Sequence, residues 1–165
     1  MKRSISLAAA VSATLVATAV TVCLAVPAGA VARPAASGTE NFQFMTTSAT
    51  SNPYSVIASG VFTAAGVDHT SGSKPGTVVF PTGTFKVEQS GSTAIGVSPT
   101  TCLESGSGSG TITLSDGTGA YKEISGKGSL HLTILGIAAK SGGKCSTTKQ
   151  VAWQEVIKAS AQVSL

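Results

Sequence analysis

Few side chains in this chain combine the type and the setting that chemistry needs. Glu155 lies between Trp153 and Ile157 on one face of an alternating run that begins at Val151. Were that face internal, its carboxyl would be held out of water, the condition a pocket acid requires; at a strand edge the same residue is simply solvated. His131 alternates with Leu130 and Leu132. It lines a cavity if those leucines and Ile134 face outward, and it is exposed if they form the core. Tyr121 and Tyr54 offer phenolic hydrogen bonds, although core packing is the ordinary use of both. Asp68-His69 sets a carboxylate beside an imidazole, the minimum for general acid–base work. Adjacent strand residues point to opposite faces, however, which fits a solvated turn pair better. The catalytic candidates are therefore His131, Glu155 and Tyr121, with Glu155 or His131 moving the proton. The ligand-binding candidates are Tyr54, His69 and Trp153.

The motifs of nucleophilic and nucleotide chemistry are missing. No Gly-x-Ser-x-Gly elbow occurs, and Ser105-Gly-Ser-Gly-Ser-Gly110 puts glycine where the elbow's serine belongs. There is no P-loop and no Gly-x-Gly-x-x-Gly after a strand. Two histidines without a carboxylate cluster make a poor zinc or iron site. No metal and no cofactor is expected, and the reading leans away from an enzyme.

Positioning those residues falls to an exported β domain. Lys2 and Arg3, the apolar run Leu7 to Val26 and Ala28-Gly29-Ala30 read as a signal peptide over residues 1–30, with a second cleavage option after Ala32. An uncleaved membrane anchor is the alternative, since the run is about long enough to span a bilayer. Cleavage predicts a secreted, extracellular protein with no membrane contact. Loss of Lys2 and Arg3 takes the formal charge from +4 to +2, nine basic residues against seven acidic. The remaining lysines are scattered without aromatic interleaving, which argues against nucleic acid as a partner. Cys102 and Cys145 survive maturation, and in an oxidising compartment an even pair is most simply one disulfide. A redox or metal pair is the other option, but the spacing fits neither Cys-x-x-Cys nor a zinc knuckle.

Residues 31–39 lack periodicity and read as a flexible leader. Residues 40–165 form one domain of strands and turns, and no stretch holds a 3.6-residue apolar stripe for three turns. The runs are Glu40 to Thr47, Tyr54 to Val67, Thr77 to Phe80, Gly83 to Gln89, Ser92 to Val97, Thr111 to Leu114, Lys122 to Ile137 and Val151 to Leu165. Ser105 to Gly110 reads as a low-complexity loop, and Lys140-Ser-Gly-Gly-Lys144 as a flexible turn. About eight strands, several broken by glycine, predict an all-β fold: a single antiparallel β-barrel, with a β-sandwich as the alternative.

Gly117-Thr-Gly119, Tyr121, Ile124, Gly126 and Gly128, followed by a long alternating strand, resemble the allene oxide cyclase/dirigent-like barrel superfamily in its bacterial secreted branch. Ala58-Ser-Gly-Val-Phe-Thr-Ala-Ala-Gly66 looks like the strand that opens such barrels. The resemblance implies an eight-stranded antiparallel barrel with a mostly apolar pocket, and for its plant members the steering or cyclisation of reactive small molecules. An arginine clamp inside the cavity does not carry over, because Arg33 is the only arginine left after the signal and lies in the leader. Three functions follow as expectations. The first is a secreted, non-catalytic barrel that binds a small apolar ligand or presents a stable surface. The second is an isomerase or cyclase acting on a small hydrophobic molecule in the barrel. The third is a chromophore-carrier sandwich resembling secreted antibiotic apoproteins. Oligomeric state is not specified.

Overall fold

The computed structural model describes residues 36–50, 53–71 and 74–165. The expected signal peptide lies outside them, as do residues 31–35 of the expected leader.

Alternation of apolar and polar residues decides the fold. Ile157, Ala159, Ala161 and Val163 are buried, while Lys158, Ser160, Gln162 and Ser164 between them are exposed. A period of two of this kind suits a sheet with one dry face. Eight strands follow in chain order: β1 (Ser37–Thr46), β2 (Tyr54–Ser59), β3 (Thr63–Ser71), β4 (Lys74–Phe80), β5 (Gly83–Val97), β6 (Leu103–Ser115), β7 (Ser125–Ser141) and β8 (Lys144–Ser164). Each pairs antiparallel with the next, and β8 returns to β1, so the sheet closes into a ring with its apolar face inside. A two-sheet sandwich is thereby ruled out. The ring is uneven: β5 to β8 run 13 to 21 residues, whereas β1 to β4 run 6 to 10. The long strands therefore project beyond the short ones at one end.

Several boundaries differ from the sequence expectation. The run Tyr54 to Val67 is two strands, divided at Gly60 to Phe62, where Gly60 has a positive φ of 146°. Conversely, Gly83 to Gln89 and Ser92 to Val97 are one strand that passes through Gly91. Ser37, Gly38 and Thr39, expected within the leader, instead begin β1 and pair with Ser164, Val163 and Gln162 to close the ring.

The largest correction concerns Ser105 to Gly110, which is strand and not loop. Its serines face out, and its glycines face in against the bulky residues of β7. Gly106 pairs with Ile134, Gly108 with Leu132 and Gly110 with Leu130. The pattern reverses further along, where Gly128 and Gly126 of β7 face Ile112 and Leu114 of β6. A side chain on either glycine set would collide. A Cβ at Gly110 would meet the Ser90 carbonyl oxygen, and one at Gly128 the Ser160 carbonyl oxygen. The glycines let the ring curve tightly while large residues of the opposing strand fill the interior.

One end of the ring is sealed by aromatics. Phe42, Phe80 and Phe85 pack with Phe62 and with Tyr121, which sits on a 3₁₀ turn (Gly119–Tyr121) in the connection between β6 and β7. The Phe62 and Tyr121 rings lie 4.9 Å apart, and Phe85 meets Tyr121 edge-on at 5.5 Å. Burying each phenylalanine stabilises by about 1.5–3 kcal/mol, and the aromatic contacts add to that. At the opposite end Cys102 and Cys145 form a disulfide with Cα atoms 5.3 Å apart, joining the β5–β6 connection to the start of β8. Gly142 and Gly143, both at positive φ, make the β7–β8 turn, a conformation that side chains resist.

Candidate functional site

Opposite the aromatic seal the interior is not filled. A cavity of about 190 Å³ lies there, open to solvent. Leu130 and Leu132 of β7 and Ile157 of β8 supply its apolar wall, while Gln89 to Thr93 and Gly108 form the side next to β5 and β6. Tyr54, Thr70 and Glu155 add polar groups to those of Gln89, Ser90, Ser92, Thr93 and Ser109, and Glu155 is the charged one among them.

Tyr54 and Glu155 meet over the end of β1, the strand that β2 and β8 flank. The Tyr54 hydroxyl donates to Glu155 Oε1 at 3.0 Å. Burial, then the charge and hydrogen bond of Glu155, then the charge of Asp68 push the Tyr54 hydroxyl well above its ordinary pKa. Tyr54 therefore keeps its proton and serves as a donor, not as a base. Asp68 stands opposite Tyr54 in the register of β2 and β3. It is only 1% exposed; its Oδ2 accepts from the Thr70 hydroxyl at 2.9 Å, and its Oδ1 is buried with no hydrogen-bond partner among the described residues. Burial raises the Asp68 carboxyl, partly offset by the Thr70 bond and the nearby His69.

Further along the same inner face, Glu104 and Trp153 lean over Gly136. A Cβ there would meet Glu104 Oε2 at 2.9 Å and the Trp153 ring at 3.0 Å. Both the Glu104 Oε2 and the Trp153 indole nitrogen are buried and lack hydrogen-bond partners among the described residues.

Of the residues singled out from sequence, the ring brings Tyr54 and Glu155 together and puts Trp153 on the same inner face. The others go elsewhere. His131 is exposed, because Leu130, Leu132 and Ile134 turn inward, and its cross-strand neighbour is Lys158 on the outer surface. Tyr121 is buried in the seal at the far end, its oxygen accepting from the Thr82 hydroxyl at 3.0 Å. His69 points outward from β3 while Asp68 points inward. Asp68-His69, expected as a solvated turn pair, is a strand pair split between faces, with Asp68 buried inside and His69 exposed. Glu104 was hidden by the loop reading of the segment that follows it. In both cases the signal was alternation, Asp68 being in phase with Ala64 and Gly66, and Glu104 with the glycines of β6.

The arrangement can hold a donor but is poorly equipped to stabilise an anion. No lysine or histidine lines the cavity, and every described lysine is exposed. No three His, Cys, Asp or Glu side chains converge to hold a metal ion among the described residues. Compared with known proteins, the chain matches no family model, no curated protein and no solved structure.

Proposed function

We propose that this is an exported, non-catalytic binding protein whose open-ended cavity holds a small, largely apolar molecule. The observation that carries the reading is the cavity itself, with Leu130, Leu132 and Ile157 on one wall and the hydrogen-bonded pair Tyr54 and Glu155 beside them. Its size suits roughly a single ring, since a dry apolar cavity of about 150 Å³ takes up benzene. Export rests on the basic start, apolar run and Ala28-Gly29-Ala30 of the sequence, and the Cys102–Cys145 disulfide is consistent with it. Membership of the allene oxide cyclase/dirigent-like superfamily is part of the proposal. The closed antiparallel ring of eight strands and the Gly117 to Gly128 segment support it.

Benzyl alcohol, a neutral ring with one hydroxyl, tests the cavity. Saturable shifts in the amide spectrum centred on Tyr54, Leu130 and Leu132 are expected. Leu132→Trp, which fills the space, should abolish them. A spectrum that drifts linearly with concentration, or shifts unaffected by Leu132→Trp, would sink the reading.

A second reading, an isomerase or cyclase, is favoured by the contact of the Glu155 carboxylate with a tyrosine inside the cavity. It is the weaker one, because Tyr54 holds its proton and no lysine among the described residues turns inward toward a developing oxyanion. A molecule that co-purifies with the secreted protein separates the two. Recovery unchanged after long incubation favours a binder, whereas conversion that stops in Glu155→Gln favours the cyclase.

A further inference from the structure

We infer that the molecule held in this cavity carries a cationic amine. The inference rests on the cavity reading above and narrows it to a ligand class. The charged residues buried in the described structure are Glu40, Asp68 and Glu104, all carboxylates, and the cavity wall adds Glu155. Asp68 and Glu155 flank Tyr54 on either side, and Glu104 lies further out on the same inner face.

These acids are short of donors. Tyr54 has one hydrogen to give and gives it to Glu155. Asp68 receives Thr70 on one oxygen, while its other oxygen is buried with no hydrogen-bond partner among the described residues; the same is true of one Glu104 oxygen. Asp68 is 1% exposed and Glu104 4% exposed, so neither is served by bulk water. A carboxylate in such a setting is strongly disfavoured until a cation or a donor reaches it. Thr70 bonds Asp68 and also lines the cavity, which links that buried carboxylate to the ligand space.

An ammonium group answers this demand with three donors and a compensating charge. Its hydrogen bonds to carboxylates are roughly twice as strong as neutral ones. A carboxylate or phosphate ligand meets like charge at Glu155, and among the described residues no lysine lines the cavity to receive it, so the same site rejects anions. The apolar wall of Leu130, Leu132 and Ile157 then takes the ring or short chain that bears the amine.

Titrating the intact protein at neutral pH with benzylamine, benzyl alcohol and benzoate tests this. Benzylamine is expected to bind at least about tenfold more tightly than benzyl alcohol, and benzoate not to saturate. Glu155→Gln should bring the ratio of the first two affinities toward one, whereas Glu123→Gln on the outer surface should preserve it. If Glu155→Gln does not fold, Asp68→Asn provides the same comparison. Equal affinities for amine and alcohol, or a preference for benzoate, overturn the amine assignment and leave the cavity standing. Failure of all three probes to saturate overturns the cavity reading and the assignment with it.

Discussion

Burial governs how Asp68 and Glu40 respond to pH. Asp68 has one oxygen against Thr70 and the other beside Gly76, where a side chain would collide with it. Glu40 is fully buried near the sealed end; its Oε2 accepts the Phe62 backbone N–H at 2.9 Å and its Oε1 has no hydrogen-bond partner among the described residues. Loss of water raises both carboxyls, and the hydrogen bonds offset only part of the effect. A raised carboxyl binds its proton more tightly in the folded state than in the unfolded one. Its stabilising contribution is therefore complete below the ordinary carboxylate pKa, about 4, and is lost as pH rises through the higher folded value. Asp68→Asn keeps an oxygen for Thr70 and removes the charge, so it should stabilise the protein at pH 7 relative to wild type. That gain should shrink as the pH falls toward 4. Urea unfolding of both proteins across this range reads the difference directly. A variant less stable than wild type at pH 7 would mean that the ionised Asp68 has a partner. Such a gain would also show that the group we assign to ligand recognition is held at a cost to stability.

At the scale of elements, glycine placement distinguishes strands that must come close from those that need not. Gly128 faces inward on β7, where an added Cβ meets the Ser160 carbonyl and lies 2.5 Å from Ala161 Cα. Gly96 on β5 has nothing nearer than the Ser105 carbonyl oxygen at 4.0 Å. Gly128→Ala should destabilise by about 1–3 kcal/mol through overpacking, and Gly96→Ala should change stability by no more than about 0.5 kcal/mol. Chemical unfolding of the two variants checks the contrast, and equal effects would contradict the close approach of β7 and β8. The same strands show what could be read beforehand. The alternation in Ile157 to Val163 was plain, and so was the shared phase of Trp153 and Glu155, although the sequence leaves open whether that face is internal or solvated. Val151, assigned to that phase, breaks it: Ala138 pairs with Gln150 and Ile137 with Ala152, leaving Val151 as the extra residue of a bulge, 69% exposed. The Ser-Gly repeat of β6 was illegible as a strand because its inward residues carry no side chain, and apolar periodicity cannot register a glycine. Only the leucines and isoleucine of β7 show which face those glycines serve.

For the whole molecule, the disulfide and the uneven ring belong together. The short β1 to β4 leave the far ends of β5 to β8 without neighbours across the ring, and Cys102–Cys145 ties two of those ends across a sequence separation of 43. Closing a loop of that length stabilises by roughly 4 kcal/mol in the chain-entropy model. Reduction under native conditions should lower the urea midpoint accordingly, while the aromatic seal at the opposite end keeps the ring folded in dilute denaturant. Far-ultraviolet dichroism with and without reductant measures both effects; an unchanged midpoint would show that the bond constrains nothing in the unfolded chain. The sequence alone determined an all-β chain of about eight antiparallel strands and two cysteines available to pair, because alternation, turn residues and a cysteine count are local properties. Which face of each strand turned inward was decided by ring closure, since one residue of register exchanges the buried and exposed sets of a whole strand. That closure set Tyr54 beside Glu155, buried Asp68 and exposed His131. It did so because β2 and β8 become near neighbours only when β1 lies between them.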